Sequence, residues 1–258
     1  MTERKHIYKL ISAISIVVVF IIWVVLTRFE MINPLFIPSP KSVWLAFIDV
    51  IQNGYKGNTL ATHIFDSLYR LLIAFALALV TAIPLGLLGG SIKWIRAIFE
   101  PFIEFYRPLP PLAYYTLLVL WFGIENGSKI ALLYLAAFAP LYIAAMSSVQ
   151  KIPQDRIRVA HSLGTNKLNL FTNIILPSTL PDLFTGIRTA VGFTYTTLVA
   201  AEMIAATTGI GWMVLDASKF LRSDYVIMGI FIMAILALLL DFVIRSIEKK
   251  LVPWKGKE

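Results

Sequence analysis

The chain has 258 residues, of which 58% are hydrophobic and 15% charged, and its mean hydropathy is +0.78. A soluble domain of this length cannot hide so much apolar surface in one core, so lipid must be the solvent for much of it. The formal net charge is +8, and the lack of any cysteine excludes disulfides, thiol catalysis and cysteine-based metal sites.

In chain order the uncharged runs are Leu10 to Thr27, Leu71 to Ile92, Pro108 to Ile124, Ile130 to Gln150, Leu183 to Ala201 (which holds one Arg) and Tyr225 to Leu240. A hydrocarbon core about 30 Å thick takes roughly 20 residues of helix, and a helix satisfies its own backbone. The runs therefore predict an all-α integral membrane protein of about six transmembrane helices, the third and sixth runs being short at 17 and 16 residues. Arg4, Lys5 and Lys9 precede the first run as in a signal peptide, but Thr27-Arg28-Phe29-Glu30 follows without a small-x-small cleavage site, which predicts an uncleaved anchor. Lys and Arg number 15 over 74 residues in pieces on the N-terminal side (1–9, 93–107, 151–182 and 241–258) and 7 over 71 residues in the opposite loops. That bias predicts a multi-pass protein of the cytoplasmic (inner) membrane with both termini cytoplasmic. The positive charge is thereby assigned to topology and anionic lipid, with no nucleic acid partner. Residues 1–258 read as one transmembrane domain with its core at about 63–250, without internal repeats.

The outer loop from Arg28 to Arg70 opens with Asn33 to Pro40, extended by its prolines. Val43, Trp44, Phe47, Ile48 and Ile51 then alternate with Lys41, Asp49 and Gln52 as an amphipathic helix, either lying in the outer interface or capping the bundle. Gly86 and Gly90 are spaced for close helix contact. Pro108, Pro110 and Pro111 cannot run through a regular helix, so a helix starts late or breaks there. Tyr114 and Tyr115 follow, suited to a pathway lining or to an interfacial aromatic belt.

Between the fourth and fifth runs lies a polar interruption. Ile157, Ala160 and Leu163 fall at helical spacing, with Arg156, Arg158 and Ser162 on the other side. Gly164 supplies a left-handed stop, and Thr165 or Asn166 caps a second helix carrying Leu168, Phe171, Ile174 and Ile175, which Pro177 is expected to end. Such a helical hairpin is either a docking knob or a solvated connector. Arg188, inside the fifth run, is read as snorkelling or as pairing with Asp182. Thr194, Tyr195, Thr196, Thr197 and Glu202 beyond it form either a polar route or helix-helix bonds. Gly209-Ile-Gly211 reads as a turn that opens a helix, and no G-x-x-x-x-G-K-[ST] loop is present to cradle a nucleotide. His6, His63 and His161 are scattered, so no catalytic, cofactor or metal site is predicted and an enzyme is disfavoured.

The run Arg158-Val-Ala-His-Ser-Leu-Gly164, nine residues and then Ile174-Ile-Leu-Pro177 resembles the EAA loop of permease subunits of ATP-binding-cassette importers: Glu-Ala-Ala, three residues, Gly, nine residues, Ile-x-Leu-Pro. Ala160, Gly164, Ile174, Leu176 and Pro177 match, while Arg158 replaces the Glu and Val159 the first Ala. The resemblance implies a type I importer permease (MetI-like) fold and makes residues 151–182 an ATPase-coupling loop. Arg156, Arg158, Ala160, His161, Leu163, Gly164, Ile174, Leu176 and Pro177 carry that role, and a salt bridge through the missing Glu is put in doubt. The runs Tyr106 to Tyr114, Leu120 to Ile124, Thr197 to Thr207 and Leu251 to Gly256 are similar to taurine permeases of the sulfonate, nitrate and taurine branch. The implied partners are a second copy of the chain, two cytoplasmic ATPase subunits holding ATP and Mg, an extracytoplasmic substrate-binding protein and the bilayer. Tyr114, Tyr115, Arg188, Thr194, Thr197 and Glu202 are the candidate pathway residues. Competing readings are a nitrate or vitamin-precursor permease, or a stand-alone secondary transporter, which would show inverted repeats and need no knob.

Overall fold

The structure, a computed structural model, describes residues 2–255. Regular structure among them is helical apart from a lone bridge between Tyr55 and Asn58. Gly256, the last residue of the taurine-permease-like run, lies outside the described residues.

Helix α1 (Thr2–Arg28) carries an apolar stretch, Leu10–Arg28, that is long enough to cross a bilayer and is not covered by the rest of the chain. It is tied back by Trp23, whose Nε1 donates to the Pro38 carbonyl at 3.0 Å. Helix α2 (Pro40–Asn53) starts as capping chemistry requires: Pro40 occupies the first turn and the Ser39 hydroxyl accepts from the Ser42 amide at 3.2 Å. It buries Val43, Ala46 and Val50 against Met213, Ala217, Met228 and Ile232, while Trp44 and Ile51 of the expected stripe face outward. Of the two readings offered by its pattern, α2 takes the cap on the bundle. Its outer rim is polar. Tyr225 donates to Asp49, which holds that carboxyl below the usual carboxylate range, and burial together with a 2.9 Å bond to Asp216 raises the Tyr55 phenol.

The centre is the packing of α3 (Leu60–Ser91) on α6 (Asn126–Gln150). Helix α3 begins well before Leu71, because Thr59 caps it and its first turns bury His63, Ser67 and Arg70 in polar contacts. Further along, Ala74, Ala78, Ala82 and Gly86 face Ala137, Ala139, Tyr142 and Ala145. Lipid provides no hydrophobic force between helices, so close packing of small residues must supply the attraction. A Cβ on Gly86 would meet the Tyr142 carbonyl oxygen at 2.5 Å, and one on Gly90 would meet Val149 Cβ at 2.7 Å. Both expected contacts are therefore present.

The third apolar run behaves differently from the others. Only Pro111–Phe122 is helical (α5), 12 residues long, because the three prolines delay its start. Residues 93–106, counted above with the N-terminal-side polar pieces, form the 14-residue helix α4 (Lys93–Tyr106). Ile103 of α4 is buried in one cluster with Ala78 and Ala82 of α3 and Ala139 and Tyr142 of α6, mid-way along both helices. Tyr115 and Leu118 of α5 pack with Leu132 and Ala201, nearer the other end. In place of the single helix expected there, α4 and α5 lie end to end along the α3–α6 packing and together make about 39 Å of helix at 1.5 Å per residue. By length and apolarity alone four helices qualify as spans, and a bent pair makes a fifth.

That bent pair follows a short polar hairpin, α7 (Gln154–Ser162) and α8 (Lys167–Leu170). A π-helical turn, Phe171–Ile175, leads into α9 (Leu176–Ala205), so Lys167–Ala205 runs on as one helical stretch, set at 48° to α10 (Ile210–Lys219). Helix α11 (Ser223–Leu251) closes the bundle and is longer than the 16-residue apolar run it contains.

Candidate functional site

The hairpin is built around Gly164, whose φ of +76° is nearly free for glycine and strained for other residues. Thr165 donates to the Ala160 carbonyl at 3.1 Å and Gly164 to that of His161 at 2.9 Å, the paired bonds of a Schellman stop. Asn166 then caps α8, accepting from the Asn169 amide at 2.8 Å. Ala160, Leu170 and Ile175 are buried with Leu87, Ala145 and Leu183, which fastens the hairpin to the bundle. Ile157, Ile174 and Leu176 are partly buried against the same cluster. Leu163 was expected on the apolar side with them but is 80% exposed, as are Leu168 at 70% and Val159 at 59%. The hairpin thus carries three exposed apolar side chains on an otherwise polar surface. Arg158 meets only Asp155, at 3.5 Å and in full solvent, a pair worth little, and His161 points outward. Arg156 donates to the Ser178 hydroxyl at 3.2 Å.

Pro177 does not end the second helix as expected. The Leu176 amide bonds to the Phe171 carbonyl, one residue further back than in an α-helix, and this wider turn lets the proline sit at the start of α9 without halting it.

A second site lies at the opposite end of α9. Glu202, 1% exposed, accepts from Arg70 Nη1 at 2.7 Å, from the Ser67 hydroxyl at 2.8 Å and from the Gly211 amide at 2.9 Å. Arg70, also buried, donates to Asn126 Oδ1 at 2.7 Å and to the Thr208 carbonyl and hydroxyl. The Gly209-Ile-Gly211 turn opens α10 as its sequence suggested and wraps the carboxylate closely: a Cβ on Gly209 would fall 2.4 Å from Glu202 Cδ. The Gly209 amide donates to His63 Nδ1 at 3.1 Å, which leaves Nε2 to carry the proton toward the Tyr55 carbonyl at 3.3 Å. One carboxylate thereby joins α3, α6, α9 and α10. Sequence reasoning singled out Glu202 but missed Arg70, Ser67, His63 and Asn126; the available signal was the recurrence of polar residues at 63, 67 and 70 on one helical face.

The other pathway candidates separate. Tyr114 lines a cavity of about 270 Å³ at the break between α4 and α5, together with Tyr106, Arg107, Leu109 and Thr189. Tyr115 faces the core instead, 1% exposed, because consecutive helical residues point about 100° apart. Thr194 and Thr197 are buried and donate to carbonyls one turn back in their own helix, at 2.7 and 2.9 Å. Arg188 neither snorkels alone nor pairs with Asp182: its Nε donates to Asp241 on α11 at 2.9 Å, and Asp182 takes Lys151.

A helical membrane bundle with an interrupted helix and a polar hairpin beyond it fits a transport component, and the family match assigns that class. Residues 82–253 match the family described as binding-protein-dependent transport system inner membrane component, and the chain belongs to that family, with its all-α, MetI-like permease fold. It is similar to the taurine transport system permease protein TauC of Escherichia coli K12, 41% identical over 94% of this chain and 89% of that one. The putative aliphatic sulfonates transport permease protein SsuC of Bacillus subtilis 168 is 32% identical over 93% of this chain and 85% of its own. The nitrate import permease protein NrtB of Synechocystis PCC 6803 is 32% identical over 95% and 90%. These relatives are named as transport permeases and not as enzymes, and the chain is an ABC transporter permease of their branch.

Proposed function

We propose that this chain is the permease subunit of an ATP-driven importer carrying taurine or a related aliphatic sulfonate across the cytoplasmic membrane. It works as a homodimer with two ATPase subunits, which hold ATP and Mg, and with an extracytoplasmic binding protein that delivers the substrate. The observation that carries the substrate is the 41% identity to the taurine permease over 94% of the chain. The docking role is supported by Val159, Leu163 and Leu168, whose exposed apolar side chains suit an ATPase cleft.

The cytoplasmic placement of the hairpin and termini rests on the Lys and Arg bias. Arg70 and Lys129 of the 7 are buried within helices, while Lys93, Arg96 and Arg107 of the 15 belong to α4 and the break after it; setting both groups aside leaves 12 against 5, so the bias stands. When the ATPase dimer closes, the hairpin moves with it. The helical stretch Lys167–Ala205 carries that displacement to Glu202, where α9 is bonded to α3 and α10.

The test is growth. Deleting the gene from a strain able to use taurine and lacking other uptake should abolish growth on taurine as sole sulfur source. Unimpaired taurine uptake combined with lost uptake of nitrate or another solute overturns the substrate assignment.

A further inference from the structure

The break between α4 and α5 falls midway along the neighbouring helices α6 and α9, and it sits over a cavity of about 270 Å³. That is just below the roughly 300–1,000 Å³ typical of sites for drug-sized ligands, a size suited to a small solute. Irregular backbone at membrane depth persists where protein or a watery cavity surrounds it. Here it leaves specific groups available. Pro108, Pro110 and Pro111 have no amide hydrogen, so the carbonyls of Glu104 and Arg107 lack their helical donors. Arg107 is exposed at the cavity and makes no hydrogen bond or ion pair to another side chain among the described residues. The Tyr106 hydroxyl is buried without a hydrogen-bond partner among the described residues, an arrangement that ordinarily carries a cost. Tyr114 adds a second phenol, and Thr189 adds a hydroxyl that donates to the Thr185 carbonyl at 3.1 Å and keeps its acceptor lone pairs. The lining contains one cation and no carboxylate.

We infer that this cavity is a substrate site within the permease itself, where the Arg107 guanidinium engages the sulfonate of a small organic sulfonate during its passage. This inference rests on the sulfonate reading above and adds the residues that hold the anion. A planar guanidinium offers a fork of donors to two sulfonate oxygens, as it does to carboxylate or phosphate. The phenols donate alongside it, and the Arg107 carbonyl, which lacks its helical donor, accepts with Thr189 from an ammonium group at the other end of a zwitterion. A single exposed guanidinium binds weakly enough to release the solute inward.

The absence of cysteine allows a direct test on the purified transporter complex. In Leu109→Cys the thiol should react at least fivefold faster with 2-sulfonatoethyl methanethiosulfonate than with its 2-(trimethylammonio)ethyl counterpart, and taurine should slow the reaction. Adding Arg107→Gln should abolish that preference. Arg107→Gln alone should lower taurine uptake from saturating binding protein at least tenfold, while Arg107→Lys retains a third or more. Equal reactivity toward both reagents, or uptake by Arg107→Gln within twofold of the native chain, overturns the site. An anion preference with protection by nitrate instead of taurine rejects the sulfonate reading while leaving the anion site standing.

Discussion

Removing Arg70 from its network should be among the most damaging single changes in the half of the bundle that lies away from the hairpin. Glu202 is held by Arg70, Ser67 and the Gly211 amide, and water does not reach it. In Arg70→Gln the carboxylate keeps the last two donors and loses its counter-ion. Breaking a buried pair from one side costs about 3–5 kcal/mol, because the remaining charge stays buried. Asn126 Oδ1 and the Thr208 carbonyl lose their donor as well. Against a typical net stability of about 5–15 kcal/mol this is a large fraction. For a chain of this size it corresponds to a fall of about 6–20 °C in unfolding midpoint. Glu202→Gln should cost less, about 1–3 kcal/mol, because an amide oxygen still accepts from Ser67 and Gly211 while Arg70 retains Thr208, Asn126 and Asp66, the last at 3.9 Å. The double variant should be more stable than the sum of the two losses by at least about 2 kcal/mol, the signature of directly coupled groups. Thermal unfolding of the four proteins in nanodiscs measures the cycle. Additive losses, or an Arg70→Gln protein within about 1 kcal/mol of the native one, would refute the claim that this carboxylate is held chiefly by its ion pair.

Three further outcomes follow from the same geometry. Gly86→Val places a branched side chain where a Cβ alone meets the Tyr142 carbonyl oxygen at 2.5 Å, so α3 and α6 must part; a loss of at least about 3 kcal/mol is expected by the same unfolding assay, at the upper end of overpacking costs. Gly164→Val meets no neighbour within 4 Å and suffers only from its φ of +76°, about 1–2 kcal/mol, so the protein should insert normally. The hairpin is expected to shift, and uptake and substrate-stimulated ATPase activity in reconstituted vesicles should both fall at least tenfold. In right-side-out vesicles, Asn58→Cys should label with an impermeant reagent and Ser162→Cys only after permeabilisation; the reverse pattern would invert the topology.

The legible parts of this sequence are those where lipid is the selecting solvent. The apolar runs inside α1, α3, α6, α9 and α11 were visible because a bilayer demands unbroken hydropathy and little else. Helix α4 was invisible for the opposite reason. Lys93, Arg96, Glu100 and Glu104 interrupt it every three or four residues, yet Arg96 and Glu100 pair with each other at 2.7 Å and leave Phe99 and Ile103 to pack inward. Pattern reading takes such a stretch for a loop. The Glu202 site was half legible: a carboxylate beside a long apolar run signals a partner, but Arg70 and Ser67 lie 132 and 135 residues away, beyond any local pattern. The hairpin was read most fully, since Gly164 and Asn166 act on their immediate neighbours.

Proline separates the permissive breaks from the functional one. Pro84, Pro101, Pro140 and Pro181 all lie inside helices that continue through them, and Pro177 is passed by a π turn. A lone proline removes one amide donor, and surrounding helices can absorb the small bend that follows. At 108, 110 and 111 three donors vanish within a single turn, and the helix stops at Tyr106 and resumes at Pro111. The Leu109 amide restores one of these bonds, to the Tyr106 carbonyl at 3.0 Å, and the Arg107 carbonyl is left without a helical donor. In this bundle the break lies beside a cavity with a guanidinium and two phenols, which Pro140 of α6 and Thr189 of α9 also line. A membrane protein can tolerate so costly an interruption only where a polar solute or water takes the place of the missing helix bonds. The cluster of prolines is therefore a better guide to the proposed site than Thr194 and Thr197, which donate to their own helix and do not line the cavity.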